Sequence, residues 1–214
     1  PLGERWRNHE EVRAWAQQVL RGVTTLAVDG SQIAPARDLS IPIGAVQIGW
    51  FENPHDPARP YMKDISFEVL APRELAGDGE GDFPDSAVNW RRFQGECERL
   101  IAWMRAEGSG RDPRPVCFYD GSLIVSFAQH MQPERQQAYV QMVMDLLAAS
   151  AETRVPLVGY VDTSYATDLT AMMDALAGGS DRSEEAFALY DGALLRPLMH
   201  WGDRTAAWVC ARDD

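Results

Sequence analysis

A chain of 214 residues, 45% apolar and 24% charged, is long enough to bury a sizeable core, which excludes general disorder. A formal charge of −12 excludes a protein that coats nucleic acid over its whole surface, but leaves a nuclease open, since metal-binding carboxylates are part of an acidic excess. No apolar run approaches the roughly 20 residues of a membrane-spanning helix, no basic-then-apolar leader is read at the start, and the three cysteines are too few and too scattered for a disulfide framework or a thiolate metal site. Reduced, buried thiols and a cytoplasmic location are therefore expected. Pro1 in place of Met, and Asp213-Asp214 at the other end, are what a fragment of a longer chain is expected to show. The 214 residues are read as a single domain.

Val12, Trp15, Ala16 and Val19 recur at helical spacing, predicting a helix over Glu10–Leu20 that ends near Gly22. Thr24–Val28 reads as a strand running into Asp29-Gly30-Ser31, where Gly30 is expected to let the chain leave the sheet sharply. Ile41–Phe51 and Tyr61–Leu70 read as two further strands separated by turn-rich Asn53–Pro60, and the three together predict an antiparallel meander. Glu74–Asp85 reads as a surface loop; no lysine follows its glycines, so it is not a phosphate-binding loop.

Ala87–Ala106 is a strongly amphipathic helix with Trp90, Phe93, Cys97, Leu100, Ile101 and Met104 on one face. Val116–Tyr119 is the fourth strand, within an apolar run from Pro115 into Asp120-Gly121-Ser122; Leu123–Phe127 reads as an extra strand or a packed loop. A second long helix is expected over Pro133–Ala151, with Tyr139, Val143, Leu146 and Leu147 facing the core. Pro156–Val161 is a continuous apolar run suited to a parallel or central strand. Asp162-Thr163-Ser164 is expected to cap a helix over Tyr165–Leu176, followed by helical pieces at Glu184–Tyr190 and Ala193–Met199 and a closing strand at Thr205–Cys210. A meander followed by helix-connected strands is the order of an α/β fold of the ribonuclease H-like class: a mixed sheet, part antiparallel and part parallel, flanked by helices.

The repeated Asp-Gly-Ser carries the chemistry. One Asp-Gly is ordinary turn material; two, each closing a core-like strand, predict that Asp29 and Asp120 stand side by side at a sheet edge. Rigid carboxylates there are what a divalent cation needs to cleave a phosphodiester. A third ligand is expected from the following helix, where Glu96 lies nearer the boundary of the buried face than Glu98, which reads as solvated. Asp162 also ends a strand and is read equally as a metal ligand or as a helix cap. Ser31 and Ser122 are candidates for orienting phosphate or water. His55 and His130 read as surface residues and His200 as a half-buried structural one. Trp90, Trp103 and the methionines at 142, 144, 172 and 173 read as core rather than as stacking platforms for bases.

Ala27-Val28-Asp29-Gly30-Ser31, Arg92 with Glu96, Tyr119-Asp120-Gly121-Ser122-Leu123, Val158-Gly159-Tyr160-Val161-Asp162 and Gly202-Asp203-Arg204-Thr205 together resemble the NurA nuclease family. The resemblance implies a ribonuclease H-like fold and a manganese-dependent nuclease, with magnesium as the alternative ion. It implies action as a 5′–3′ exonuclease and single-strand endonuclease on single- and double-stranded DNA ends, in end resection and double-strand break repair. It further implies a homodimer working beside a hexameric HerA-type ATPase, and metal roles for Asp29, Glu96 and Asp120. The family also uses a late histidine, which has no secure counterpart here. Two other classes compete. One is a non-catalytic ribonuclease H-like subunit that docks on a DNA-translocating ATPase, and would show no metal-dependent thermal shift. The other is an actin-like phosphotransferase, which needs two such domains and a nucleotide cleft, more than this length supplies.

Overall fold

The computed structural model describes residues 6–36, 40–75, 84–108, 110–176, 189–200 and 203–206. Its sheet has five strands, β1 (Thr25–Ile33), β2 (Gly44–Asn53), β3 (Met62–Leu70), β4 (Val116–Asp120) and β5 (Leu157–Tyr160), in the order β3-β2-β1-β4-β5. The β1–β2 and β2–β3 pairs are antiparallel, which is the expected meander. The β1–β4 and β4–β5 pairs are parallel, so the sheet is mixed as expected. The helices are α1 (His9–Leu20), α2 (Pro72–Leu75), α3 (Pro84–Trp103), α4 (Pro133–Thr153), α5 (Asp168–Leu176) and α6 (Asp191–Leu195). No helix among the described residues is long and apolar enough to cross a membrane. The chain divides into two compact units, Val12–Tyr160 and Pro1–Glu11 with Val161–Asp214.

In the larger unit one face of the sheet is covered. Leu26 and Val28 of β1, Val46 and Ile48 of β2, and Cys117 and Tyr119 of β4 alternate inward and meet Val88, Phe93, Cys97 and Leu100 of α3 and Tyr139, Val143 and Leu146 of α4. Phe93 and Tyr139 join the two helices with ring centroids 4.7 Å apart. The opposite face of β1, β2 and β3 carries Ile33, Phe51, Ile65, Phe67 and Val69, all exposed, with Asp29 and Ser31 between them. At the far end of α3 the chain winds into one π-helical turn, Met104–Gly108.

Several elements differ from expectation for local physical reasons. β1 does not stop at Val28: β2 pairs with it as far as Ile33↔Ala45, while the parallel pairing with β4 ends at Val28↔Tyr119. Gly30 is therefore an in-strand residue and not a turn. It is needed because α3 comes so close that a Cβ there would stand 2.5 Å from Glu96 Oε1 and 2.6 Å from Arg92 Cγ. Gly121 does turn the chain, at φ +153. β2 begins at Gly44 rather than Ile41; Pro42 has no N–H to offer a ladder. α2 interrupts the expected loop after Leu70, with the Ala71 N–H donating to Glu74 Oε2 at 2.7 Å. β5 is parallel but lies at the sheet edge, not centrally. Leu123–Phe127 forms no strand; Leu123 and Val125 lie against the core and lead into a 3₁₀ turn, Ser126–His130.

Leu147 and Met144 face outward from α4, since the buried stripe runs Tyr139, Val143, Leu146, Ala149. Met173 is also exposed. α5 starts at Asp168, too late for Asp162 to cap it. Its leading N–H groups, of Leu169 and Thr170, donate instead to the carboxylate of Asp191 at 3.0 and 2.9 Å, an acid 21 and 22 residues further on. The piece expected over Ala193–Met199 is α6, ending at Leu195. Of the helix expected over Glu184–Tyr190, positions 184–188 lie outside the described residues. Thr205 and Ala206 have no regular structure, and the rest of that expected strand, Cys210 included, is outside them too.

Two substitutions test this packing. Gly30→Ala should destabilise the protein by about 1–3 kcal/mol, because the added methyl meets a carboxylate and an arginine stem on a packed helix. Leu146→Ala should cost about 2–5 kcal/mol and Leu147→Ala about 1 kcal/mol or less. Denaturant unfolding measures all three, and equal losses at 146 and 147 would refute the assigned α4 face.

Candidate metal centre

The end of the β1–β4 pairing positions two acids. Val28 and Tyr119 are the last register partners, and the next residue on each strand is an aspartate. Asp29 and Asp120 are both exposed, with side chains on the uncovered face of the sheet by strand alternation. Asp29 faces Gly49 on β2, where a Cβ would meet nothing closer than 3.7 Å. Space is thereby left beside the carboxylate. It opens into a shallow hollow of about 630 Å³ lined by Asp29, Ser31, Gln47, Gly49, Phe51, Lys63 and Ile65, among others. Ser31 is exposed on the same strand face. Ser122, past the turn at Gly121, accepts the Ile124 N–H on its Oγ at 3.1 Å.

Glu96 approaches from the other face of the sheet. Only 4% of it is exposed, whereas half of the Glu98 side chain is, with Arg91 3.4 Å away. The Gly30 N–H donates to Glu96, which the missing side chain at Gly30 allows. Arg92, one helical turn earlier, donates from Nη1 to Glu96 Oε1 at 2.6 Å. Arg92 Nε donates to Gln32 Oε1 at 2.9 Å, and Gln32 Nε2 to Asn89 Oδ1 at 2.5 Å. Burial pushes the Glu96 carboxyl above the ordinary glutamate range. The charge of Asp29 pushes the same way, while Arg92 and the Gly30 N–H oppose both.

Glu96 thus feels the charge of Asp29, and with Asp120 the three offer only hard oxygen donors, the set suited to magnesium or manganese. In donor chemistry the residues fit a divalent cation. In placement they are not gathered: among the described residues no three His, Cys, Asp or Glu side chains converge closely enough to hold one. Glu96 Oε1 is instead engaged by Arg92.

Asp162 is exposed at a bend in the smaller unit. His200 is not half-buried: its side chain is 92% exposed, and its backbone N–H donates to Asp203 Oδ2 at 2.7 Å. His55 is no free surface residue. It sits partly buried at φ 46, its Nδ1 2.8 Å from the Val23 carbonyl oxygen. The side chain of His130 is outside the described residues. Arg92 and Gln32 are the partners that strand-end reasoning missed; the i, i+4 spacing of Arg92 and Glu96 was the available signal for the first.

No curated protein matches the sequence. Among solved structures, the chain is similar to the N-terminal RNase H domain of Rv2228c from Mycobacterium tuberculosis, with 11% identity over 74% of this chain and 99% of that one, at a TM-score of 0.32. It is similar to LC9-RNase H1, a type 1 RNase H with the type 2 active-site motif, with 10% identity over 84% and 82%, also at 0.32. Endonuclease V of Ciona intestinalis, solved with DNA, shows 9% identity over 80% and 70%, at 0.26. The sheet order β3-β2-β1-β4-β5, antiparallel on one side of β1 and parallel on the other, with flanking helices, is the arrangement expected of the ribonuclease H-like class. Residues 23–214, nearly the whole chain, match the NurA domain, and the protein therefore belongs to the NurA family of nucleases.

Proposed function

We propose that this protein is a divalent-metal-dependent deoxyribonuclease, with manganese the favoured ion and magnesium the alternative, and that Asp29, Glu96 and Asp120 are its metal-binding residues. The observation that carries this reading is the pair of aspartates directly following the last β1–β4 register partners, with Glu96 seated against Gly30 beside them. When bound, the cation would supply a lowered pKa for attacking water and a positive counter-charge for the phosphate. The chain's own residues do the positioning. Asp29 and Asp120, on neighbouring strands of one sheet, move little relative to each other, which favours a fixed distance between ligands. Ser31, Gln47 and Lys63 line the hollow beside Asp29 and can hold phosphate oxygens of a strand laid there. Ser122, at the turn after Asp120, is read as a second hydroxyl for phosphate or ordered water.

The family resemblance supports the finer points: 5′–3′ exonuclease and single-strand endonuclease action on DNA ends, a place in end resection and double-strand break repair, a HerA-type ATPase as partner, and a homodimer. Residues 1–214 are read as one nuclease domain built of two compact units. A non-catalytic subunit docking on such an ATPase is the competing reading, favoured by the engagement of Glu96 with Arg92.

Asp29→Asn and Asp120→Asn should each reduce manganese-dependent cleavage of single- and double-stranded DNA by at least about a hundredfold. Both residues are exposed, so melting temperatures should stay at the wild-type value. Cleavage at wild-type rate by either variant would refute the proposal.

Glu96→Gln carries a pH signature in metal-free protein. A carboxyl raised in the folded state binds its proton more tightly there than in the unfolded chain. Its stabilising contribution is full below the ordinary glutamate pKa and is lost as pH rises through the folded value. The melting temperature of Glu96→Gln relative to wild type should therefore be more favourable at about pH 7 than at about pH 4. A pH-independent difference would show that Glu96 ionises without penalty.

A further inference from the structure

We propose that the Arg92 guanidinium is a built-in counter-cation for Glu96, and that divalent metal binding requires its release from that carboxylate. The inference rests on the reading of Glu96 as a metal ligand and adds a competing internal cation to it.

Three observations carry it. First, Arg92 Nη1 donates to Glu96 Oε1 at 2.6 Å, so the oxygen nearest the guanidinium already has a cationic partner. A divalent ion on that oxygen would stand against the guanidinium charge, and the two cations compete for it. Second, the pair is asymmetric. The Glu96 side chain is 6% exposed and held from below by the Gly30 N–H, whereas the Arg92 side chain is 34% exposed. The carboxylate stays where it is, and the arginine has solvent to swing into. Third, the guanidinium has an independent anchor. Its Nε donates to Gln32 Oε1, and Gln32 in turn donates to Asn89 on the same helix as Arg92. Gln32 lies on β1 two residues beyond Gly30, so breaking the Glu96 contact does not free Arg92 from the site.

A buried carboxylate left without a partner is costly, and a protein whose metal comes and goes needs a substitute charge in the interval. Arg92 supplies it from one turn away. Two consequences follow for binding. The cation must outcompete the guanidinium, which weakens apparent affinity. Removing the guanidinium also raises the free energy of the metal-free state, and that cost is recovered when the cation arrives.

The test is Mn²⁺ binding to the intact chain, read from the EPR signal of free Mn²⁺, for wild type, Arg92→Gln, Arg92→Lys, Glu96→Gln and the double variant. Arg92→Gln should bind Mn²⁺ about tenfold more tightly than wild type, the scale of one charge-assisted hydrogen bond. Its metal-free melting temperature should fall, and adding Glu96→Gln should restore most of that loss. Arg92→Lys keeps the charge but cannot hold Gln32 and Glu96 at once, and should lie between wild type and Arg92→Gln. Glu96→Gln should bind Mn²⁺ more weakly, with or without Arg92. If Arg92→Gln binds no more tightly while Glu96→Gln weakens binding, the counter-cation proposal is overturned and Glu96 remains a ligand. If Glu96→Gln binds like wild type, the ligand reading falls and the proposal with it. Should Arg92→Gln not fold, Arg92→Lys decides, and affinity no tighter than wild type overturns the proposal.

Discussion

The contact of α3 with β1 at Gly30 is the constraint on which this architecture turns. A helix packed on a sheet ordinarily keeps a layer of side chains between the two backbones. Here the β1 side chain is missing at Gly30, and the Glu96 carboxylate fills the space. That vacancy lets an acid on the covered face approach β1 close to the notch where β4 leaves it, while Asp29 and Asp120 stand at the same strand ends on the uncovered face. The notch exists because β1 continues five residues past the end of its parallel partner register, still paired on its other side with β2.

A second buried acid in the same domain shows what a purely structural solution looks like. Glu52 of β2 is also buried, and its Oε2 accepts from the indole N–H of buried Trp103 at 2.8 Å, with Arg111 3.8 Å from the other oxygen. Its closest partner is an uncharged, immobile donor locked in the core. Glu96 instead depends on a partly exposed cation. Both acids satisfy the rule that buried charge needs hydrogen bonds. At Glu52 the hydrogen-bonding donor is a buried indole, whereas at Glu96 it is the partly exposed guanidinium itself. That contrast, more than burial itself, distinguishes the proposed ligand from the scaffold acid.

Much of this was legible in the chain. The meander, the two long helices and the parallel strands follow from periodicity, and the doubled Asp-Gly-Ser pointed to Asp29 and Asp120. The two motifs nevertheless work differently. At Asp120-Gly121 the glycine turns the chain, as local propensity suggests. At Asp29-Gly30 the chain goes straight on, and the glycine answers to a helix more than sixty residues away, information that no local window contains. The same holds for α5, capped by Asp191 and not by the nearby Asp162. Leu147 was misassigned because a continuous Leu-Leu pair fits either side of a helical stripe, and only packing against the sheet chooses Leu146. Glu96 over Glu98 was readable from helical angle; the guanidinium set on it was readable only as a spacing.

The two described cysteines add a property of a different kind. Cys97 follows Glu96 on the core side of α3, and Cys117 precedes Asp120 by three residues on β4. Both are fully enclosed, and burial pushes both thiols up to about 12. Neither reacts as a thiolate while the fold is closed. Each becomes an ordinary nucleophile as soon as its element opens, so alkylation mapped to these two peptides would time the local breathing of the helix and the strand that flank the acidic notch.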